Sequence, residues 1–325
     1  MRTQGPIRRG PNWLKKVSAI LPIREAAEYG SRLKAGTTSL RMRRLDHFRK
    51  AYDMTTLSPS GFLTVGASHL EYRMIGPSPE SAPTIVMLHE GLGSAGLWGD
   101  FPEKLQAATG VGVFVYSRAG YGNSTPVKLP RPLDYMHVEA LDVLPKLLAK
   151  IGFRRGLLLG HSDGASIAAI YAGSRQDHRV QGVALIAPHF IVENISVASI
   201  VQIRNAYATT DLKEKLARWH KDVDNAFYGW NDAWLDPGFR NWDISEYLAY
   251  IRVPVAILQG VDDQYGTMRQ VEIAREECYC PVDVTVIPGA GHQPHREAPG
   301  PTLDAISEFA NAVLHANDGS QGRAS

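Results

Sequence analysis

The segment Gly160-His161-Ser162-Asp163-Gly164 follows a short apolar run at residues 156–159 and precedes a helical run at 165–172. Glycines two positions either side of a serine let a chain turn sharply from strand to helix, holding the hydroxyl out at the sheet edge as a nucleophile elbow. An alcohol attacks poorly until a base takes its proton, and that base must be oriented by a third group. Two later apolar runs end in suitable residues: 253–258 leads into Gly260-Val261-Asp262-Asp263, and 282–287 into Gly289-Ala290-Gly291-His292. Ser162, one of the two aspartates and His292 therefore stand in the order serine, acid, histidine. Neighbouring side chains on an extended chain end point opposite ways, so only one of Asp262 and Asp263 can face the imidazole. Glu193, beyond the run 180–186, is a more distant candidate for the acid.

Such residues need a frame that brings their strand ends to one rim. Residues 62–66 and 70–75 read as an antiparallel pair joined by a tight turn at 67–69. The runs 84–89, 112–117, 156–159, 180–186, 253–258 and 282–287 are nearly all apolar, as expected of parallel strands covered on both faces. Helical patterns at 134–151 and 164–173 lie between them. The expected fold class is α/β, an open, mostly parallel, doubly wound sheet wrapped by helices, with ligands beyond the C-terminal strand ends. Between Val192 and Tyr247 the alternation stops, and the segment reads as helices without a convincing strand. It holds Trp219, Trp230, Trp234 and Trp242, four of the six tryptophans. An inserted cap is expected at about 192–247, with some rings lining an apolar pocket and the others packing the cap down.

The chain has 325 residues, 44% apolar and 21% charged, which excludes collagen, coiled coil and wholesale disorder. Its formal charge of +2 is unevenly divided. Residues 1–50 hold 13 basic and three acidic side chains, +10, and the remainder carries −8. A folded domain of that sign argues against nucleic acid as a partner. Trp13, Leu14, Val17, Ile20 and Leu21 recur at helical spacing beside Lys15 and Lys16, so residues 1–54 are read as a basic extension that is either a packing or loosely held arm or carries a short amphipathic helix serving as an import presequence or a membrane-surface anchor. The tail after 316 is small and polar, and disorder is expected there. No apolar stretch reaches the roughly 18 residues of a membrane span, and no secretory signal is evident. A cytoplasmic location is expected, with the mitochondrial matrix, reached through the basic arm, as the alternative. Cys278 and Cys280 are too close for an ordinary disulfide.

Taken together, these motifs resemble the α/β-hydrolase superfamily, in particular members with a helical cap inserted after the sixth strand. The matching residues are His89-Glu90-Gly91-Leu92-Gly93 after the third strand, Ser162 in its elbow, Asp263 in G-x-x-D and His292 in G-H-x-P, spanning about residues 60 to 315. The resemblance implies Ser162 as nucleophile, His292 as general base and then acid, and Asp263 as the orienting carboxylate. It also implies an oxyanion hole from the N–H of Asp163 and that of Leu92 or Gly91. The activity implied is a cofactor-free, metal-free serine hydrolase acting on a small-molecule ester, lactone or thioester of a small to medium apolar acid. The same residues also serve hydrolysis of a carbon–carbon bond beside a ketone, and the fold also serves as a non-catalytic small-molecule receptor. Glu90 stands where many relatives carry glycine, and Asp163 puts a second carboxylate beside the serine, where it is expected to cap the helix; both weigh against anionic substrates.

Other chemistry-bearing residues are read as structural. His292 and His295 lack a third metal ligand. Gly120-Tyr121-Gly122 after Arg118 suits a turn better than a phosphate loop. His161 and His189, close to strand ends, are expected either to touch substrate or to pack with their nitrogens hydrogen-bonded.

Overall fold

The computed structural model describes residues 57–315. The basic extension with its expected helix, and the tail after 316, lie outside the described residues. Eight strands form one sheet: β1 (Ser60–Val65), β2 (Ser68–Ile75), β3 (Thr84–Leu88), β4 (Gly112–Tyr116), β5 (Gly156–His161), β6 (Val180–Ile186), β7 (Val255–Gly260) and β8 (Val282–Ile287). Their spatial order is β1-β2-β4-β3-β5-β6-β7-β8. Pairing is antiparallel between β1 and β2 and between β2 and β4, and parallel from β4 to β8. The β1–β2 turn sits at residues 66–67, slightly earlier than expected, because Gly66 supplies a positive φ of 59°.

The continuous apolar runs split by alternation into two cores. Val86, Leu88, Phe114, Tyr116, Leu158, Val183 and Leu185 face one layer of helices, and Ile85, Met87, Val113, Val115, Leu157, Leu159 and Ile186 face the other. Register then fixes the rim. Leu88 pairs with Gly160, Gly160 with Leu185, and Gly260 with Ile287, so β3, β5, β6, β7 and β8 release the chain on the same side.

The helices are α1 (Phe101–Thr109), α2 (Tyr135–Val138), α3 (Leu144–Lys150), α4 (Asp163–Ser174), α5 (Asn194–Thr209), α6 (Leu212–Ala217), α7 (Val223–Leu235), α8 (Ser245–Leu248), α9 (Met268–Glu277), α10 (Pro294–Glu297) and α11 (Pro299–His315). The helix expected at 134–151 is interrupted between α2 and α3 by a π turn at Glu139–Val143. Pro145 has no N–H for the carbonyl of Leu141 and crowds it; the widened turn relieves this, and Arg175 Nη2 donates to that carbonyl at 2.7 Å. α4 is buried along its whole length from Asp163 to Gly173, which is why its sequence is apolar all round. Between β6 and β7 the chain forms α5 to α8, one 3-10 turn at Pro237–Asn241 and a single bridge from Ile191 to Asp243. In α7, capped by the Asp222 carboxylate accepting from Asn225 N–H, the buried Phe227, Trp230 and Trp234 recur on one helical face.

Close passage of α4 beneath β3 requires glycine. A Cβ on Gly164 would lie 2.1 Å from the Leu88 carbonyl oxygen, and one on Gly160 would lie 2.2 Å from that of Gly164. Gly164→Ala is expected to push α4 off β3 and lower stability by about 1–3 kcal/mol, read as a fall in urea midpoint at unchanged m-value. A midpoint equal to that of the unaltered protein would contradict this packing.

Candidate active site

Ser162 adopts φ 52° and ψ −119°, a left-handed conformation rare for a residue with a side chain. The turn is held by Ser162 N–H donating to Ile186 O at 2.9 Å and by Ala165 N–H donating to Ser162 O at 2.9 Å. Ser162 Oγ lies 2.9 Å from His292 Nε2. Nδ1 of the same ring lies 2.9 Å from both carboxylate oxygens of Asp263. A carboxylate only accepts, so Nδ1 carries the hydrogen and Nε2 is free to accept from the serine hydroxyl. Three side chains separated by up to 130 residues thus form one hydrogen-bonded chain.

The two aspartates are separated as the alternation argument requires. Asp262 is exposed, while Asp263 is buried against His292. Asp263 also accepts from Tyr265 N–H at 2.7 Å, Gly266 N–H at 3.2 Å and Gln259 Nε2 at 2.8 Å. Burial raises its pKa, but the hydrogen bonds from His292 and the Tyr265 backbone outweigh that and bring it down to about 2. Glu193 serves elsewhere: it accepts from the Thr267 N–H and hydroxyl and from Gln270 Nε2, anchoring the start of α9.

The loop after β3 reaches the serine from the other side. Glu90 O accepts from Arg118 Nη2 at 2.9 Å and from His89 Nδ1 at 2.7 Å, while His89 Nε2 accepts from Arg118 N–H at 3.1 Å. Leu92 O accepts from His220 Nε2 at 3.0 Å, and His220 Nδ1 accepts from Gly122 N–H. Gly91 has no room for a side chain, since a Cβ would lie 2.1 Å from Trp230 Nε1. Among the described residues, the N–H groups of Leu92 and Asp163 donate to no protein acceptor.

Asp163 does not cap α4. Its carboxylate is fully enclosed, accepting from the Tyr135 hydroxyl at 2.5 Å and Trp234 Nε1 at 3.2 Å. Gly120 and Gly122 take φ of 91° and 58° in a turn around Tyr121, as their turn reading requires. His295 is packed against Trp98 at 4.8 Å and His161 at 4.9 Å between ring centroids, and no group of three potential ligands able to hold a metal occurs among the described residues. His161 is fully enclosed beneath the site, whereas His189 lines it.

A cavity of about 200 Å³ opens above Ser162 and His292. Its walls include Ile200, Ile203, Leu212, Leu216, Trp230 and Trp234 from the inserted helices, together with Glu90, Gly91 and Leu92 from the loop after β3. Of the other two insertion tryptophans, Trp242 stacks on Phe239, and Trp219 is 42% exposed. Tyr265, tilted against His292 at 4.7 Å, and the supports Gln259 and His220 belong to no motif, and their significance is visible only in three dimensions.

The sequence profile described as the alpha/beta hydrolase family matches residues 85–305. The chain belongs to this family. A curated relative of this alpha/beta hydrolase, the proline iminopeptidase of Lactobacillus acidophilus, is 23% identical over 230 residues, covering 59% of this chain and 78% of its own. Two solved structures share the fold. The proline iminopeptidase of Mycobacterium smegmatis superposes with a TM-score of 0.64 at 17% identity, over 79% of this chain and 99% of that one. The enol-lactonase of Burkholderia xenovorans LB400 gives 0.61 at 21% identity, over 77% and 99%. Family membership supports hydrolysis as the general activity. No helix among the described residues is long and apolar enough to cross a membrane.

Burial lowers His189 and His295 from the ordinary 6.5 to about 3. Between those values the unfolded chain takes up protons that the folded hydrolase refuses, so stability falls as the pH drops through that window. The melting temperature is therefore expected to decline from pH 6.5 downward, and His295→Phe, which keeps the ring packing, should flatten the decline. An equally steep decline in that variant would contradict the assignment.

Proposed function

We propose that this alpha/beta hydrolase is a serine hydrolase that cleaves an ester, lactone or thioester of a small to medium apolar acid through an acyl-enzyme. The observation that carries the reading is the hydrogen-bonded chain from Ser162 through His292 to Asp263 at the floor of an apolar cavity. In this reading Ser162 Oγ attacks the acyl carbonyl as its proton passes to His292 Nε2. Asp263 keeps the imidazole in the accepting tautomer and stabilises the imidazolium that forms. The N–H groups of Asp163 and of Leu92 or Gly91 receive the oxyanion. His292 then protonates the leaving oxygen or sulfur, the bond to the acyl carbon breaks, and a water deprotonated by the same ring releases the acid.

The acyl group would lie among Ile200, Ile203, Leu212 and Leu216, where none of the described residues offers a cation to a charged acyl chain. Arg296, the one cation in the cavity lining among the described residues, is exposed. The helices over the cavity act in this reading as a cap that sets acyl size.

Hydrolysis of p-nitrophenyl esters, together with labelling by a fluorophosphonate, tests the assignment. Ser162→Ala should abolish both, and Asp263→Asn should lower kcat by about three to four orders of magnitude while Asp262→Asn stays within about twofold. Labelling that persists without Ser162, or equal losses at the two aspartates, would overturn it. For acyl size, Ile203→Trp should depress kcat/KM for longer chains by about tenfold or more relative to acetyl esters, since a misfitting methylene costs about 1–3 kcal/mol. An unchanged chain-length profile would remove the inserted helices from the specificity argument.

A further inference from the structure

Glu90 lines the cavity beside the donors assigned to the oxyanion, where a bare carboxylate opposes the negative charge that acyl transfer develops. Its Oε2 lies 3.4 Å from Nδ1 of His161, a ring with no exposed surface. The other nitrogen, Nε2, lies 2.7 Å from the backbone carbonyl oxygen of His292. A carbonyl can only accept, so Nε2 carries a hydrogen. Nδ1 then makes an attractive contact with the carboxylate only if it carries a second one. One enclosed ring thus spans the gap between the loop after β3 and the loop after β8, from the position next to Ser162.

We propose that His161 and Glu90 form a charge-neutral brace that holds the oxyanion loop and the His292 loop in register on either side of Ser162, and cancels the carboxylate's field where the oxyanion forms. The inference rests on the serine-hydrolase reading and assigns both residues a positioning role. Other groups facing the pair do not replace His161 as the cation. His295, 4.9 Å from it between ring centroids, and His189 are both held neutral by burial at about 3, and His89, whose Nδ1 donates to Glu90 O, is likewise lowered well below its ordinary range. The His292 ring, 5.2 Å away, is engaged by Ser162 and Asp263. Arg118 is spent on the Glu90 carbonyl, and Arg296 is exposed beyond His295. Burial pushes the Glu90 carboxyl up, but its contact with His161 outweighs that and holds it well below the ordinary carboxylate range.

The decisive experiment is a two-residue cycle on the intact chain with a p-nitrophenyl ester. His161→Gln leaves the carboxylate uncompensated and should lower kcat by about 100-fold, with KM changed by less than about threefold. Adding Glu90→Gln should restore at least about tenfold of that loss, because the repelling charge is gone. A His161→Gln enzyme with unaltered kcat, or a double variant no better than the single one, overturns the proposal. Should His161→Gln fail to fold, nitrogen NMR of the histidine rings decides: His161 should be an imidazolium at neutral pH in the unaltered enzyme and a neutral ring in Glu90→Gln. A neutral ring in the unaltered enzyme overturns the brace. Ser162→Ala, assayed alongside, separates the two levels of the argument. Residual turnover there sinks the serine-hydrolase reading, whereas an inactive Ser162→Ala with an unimpaired His161→Gln sinks the brace alone.

Discussion

The left-handed backbone at Ser162 is the constraint on which the site depends. Such a conformation costs about 1–3 kcal/mol for a residue with a side chain and persists only where its surroundings over-determine it. Here the surroundings are Gly160 and Gly164, stripped of side chains so that β3, β5 and α4 can nearly touch, together with the hydrogen bond from Ser162 N–H to Ile186 O. Because the hydroxyl is thrown clear at the rim, a histidine carried by the β8 loop and an aspartate carried by the β7 loop can reach it without leaving their strand ends. The parallel register does the rest, aligning six strand ends on one side of the sheet.

Around this turn the protein buries several polar groups in specific pairs. Asp163 is enclosed with Tyr135 and Trp234, Glu139 with Tyr116, and Arg118 beneath the Glu90 carbonyl. Removing one partner of such a pair leaves an uncompensated polar group in a poorly solvated place, which is costly. These pairs therefore fix geometry more than they add stability. In the loop bearing Gly91 and Leu92, Arg118 and His220 tie down the carbonyls of Glu90 and Leu92, while the Leu92 N–H is left without a protein acceptor.

The sheet was legible in the sequence because strands covered on both faces are apolar throughout, and the three motif residues because each closes an apolar run at a turn. Strand ends were less so. β5 continues to His161 because that residue pairs with Ile186, and β7 starts at Val255, after Pro254, which has no N–H to give a ladder; both follow from partners that local pattern does not reveal. The fate of Asp163 was misjudged for the same reason: a carboxylate in a first helical turn has a ready local use, but Tyr135 and Trp234, brought in from 28 and 71 residues away, claim it. His220 and Gln259 announce nothing in sequence, since one supports Leu92 across 128 residues and the other meets Asp263 only through the turn after β7. The interruption between α2 and α3 did carry a local signal, Pro145.

The inserted helices are fastened to the body at several separate points. Trp234 reaches Asp163, His220 reaches Leu92, Asn225 exchanges two hydrogen bonds with the backbone of Val127, and Ser196 and Ser199 donate to the carbonyls of Tyr265 and Gln264. Lifting this roof would strip donors from an enclosed carboxylate and from the loop beside the serine at the same moment. A chamber fastened in this way is ready-made: a guest gives up little affinity to reshaping its host, and selection is exercised by the fit of a preset mould.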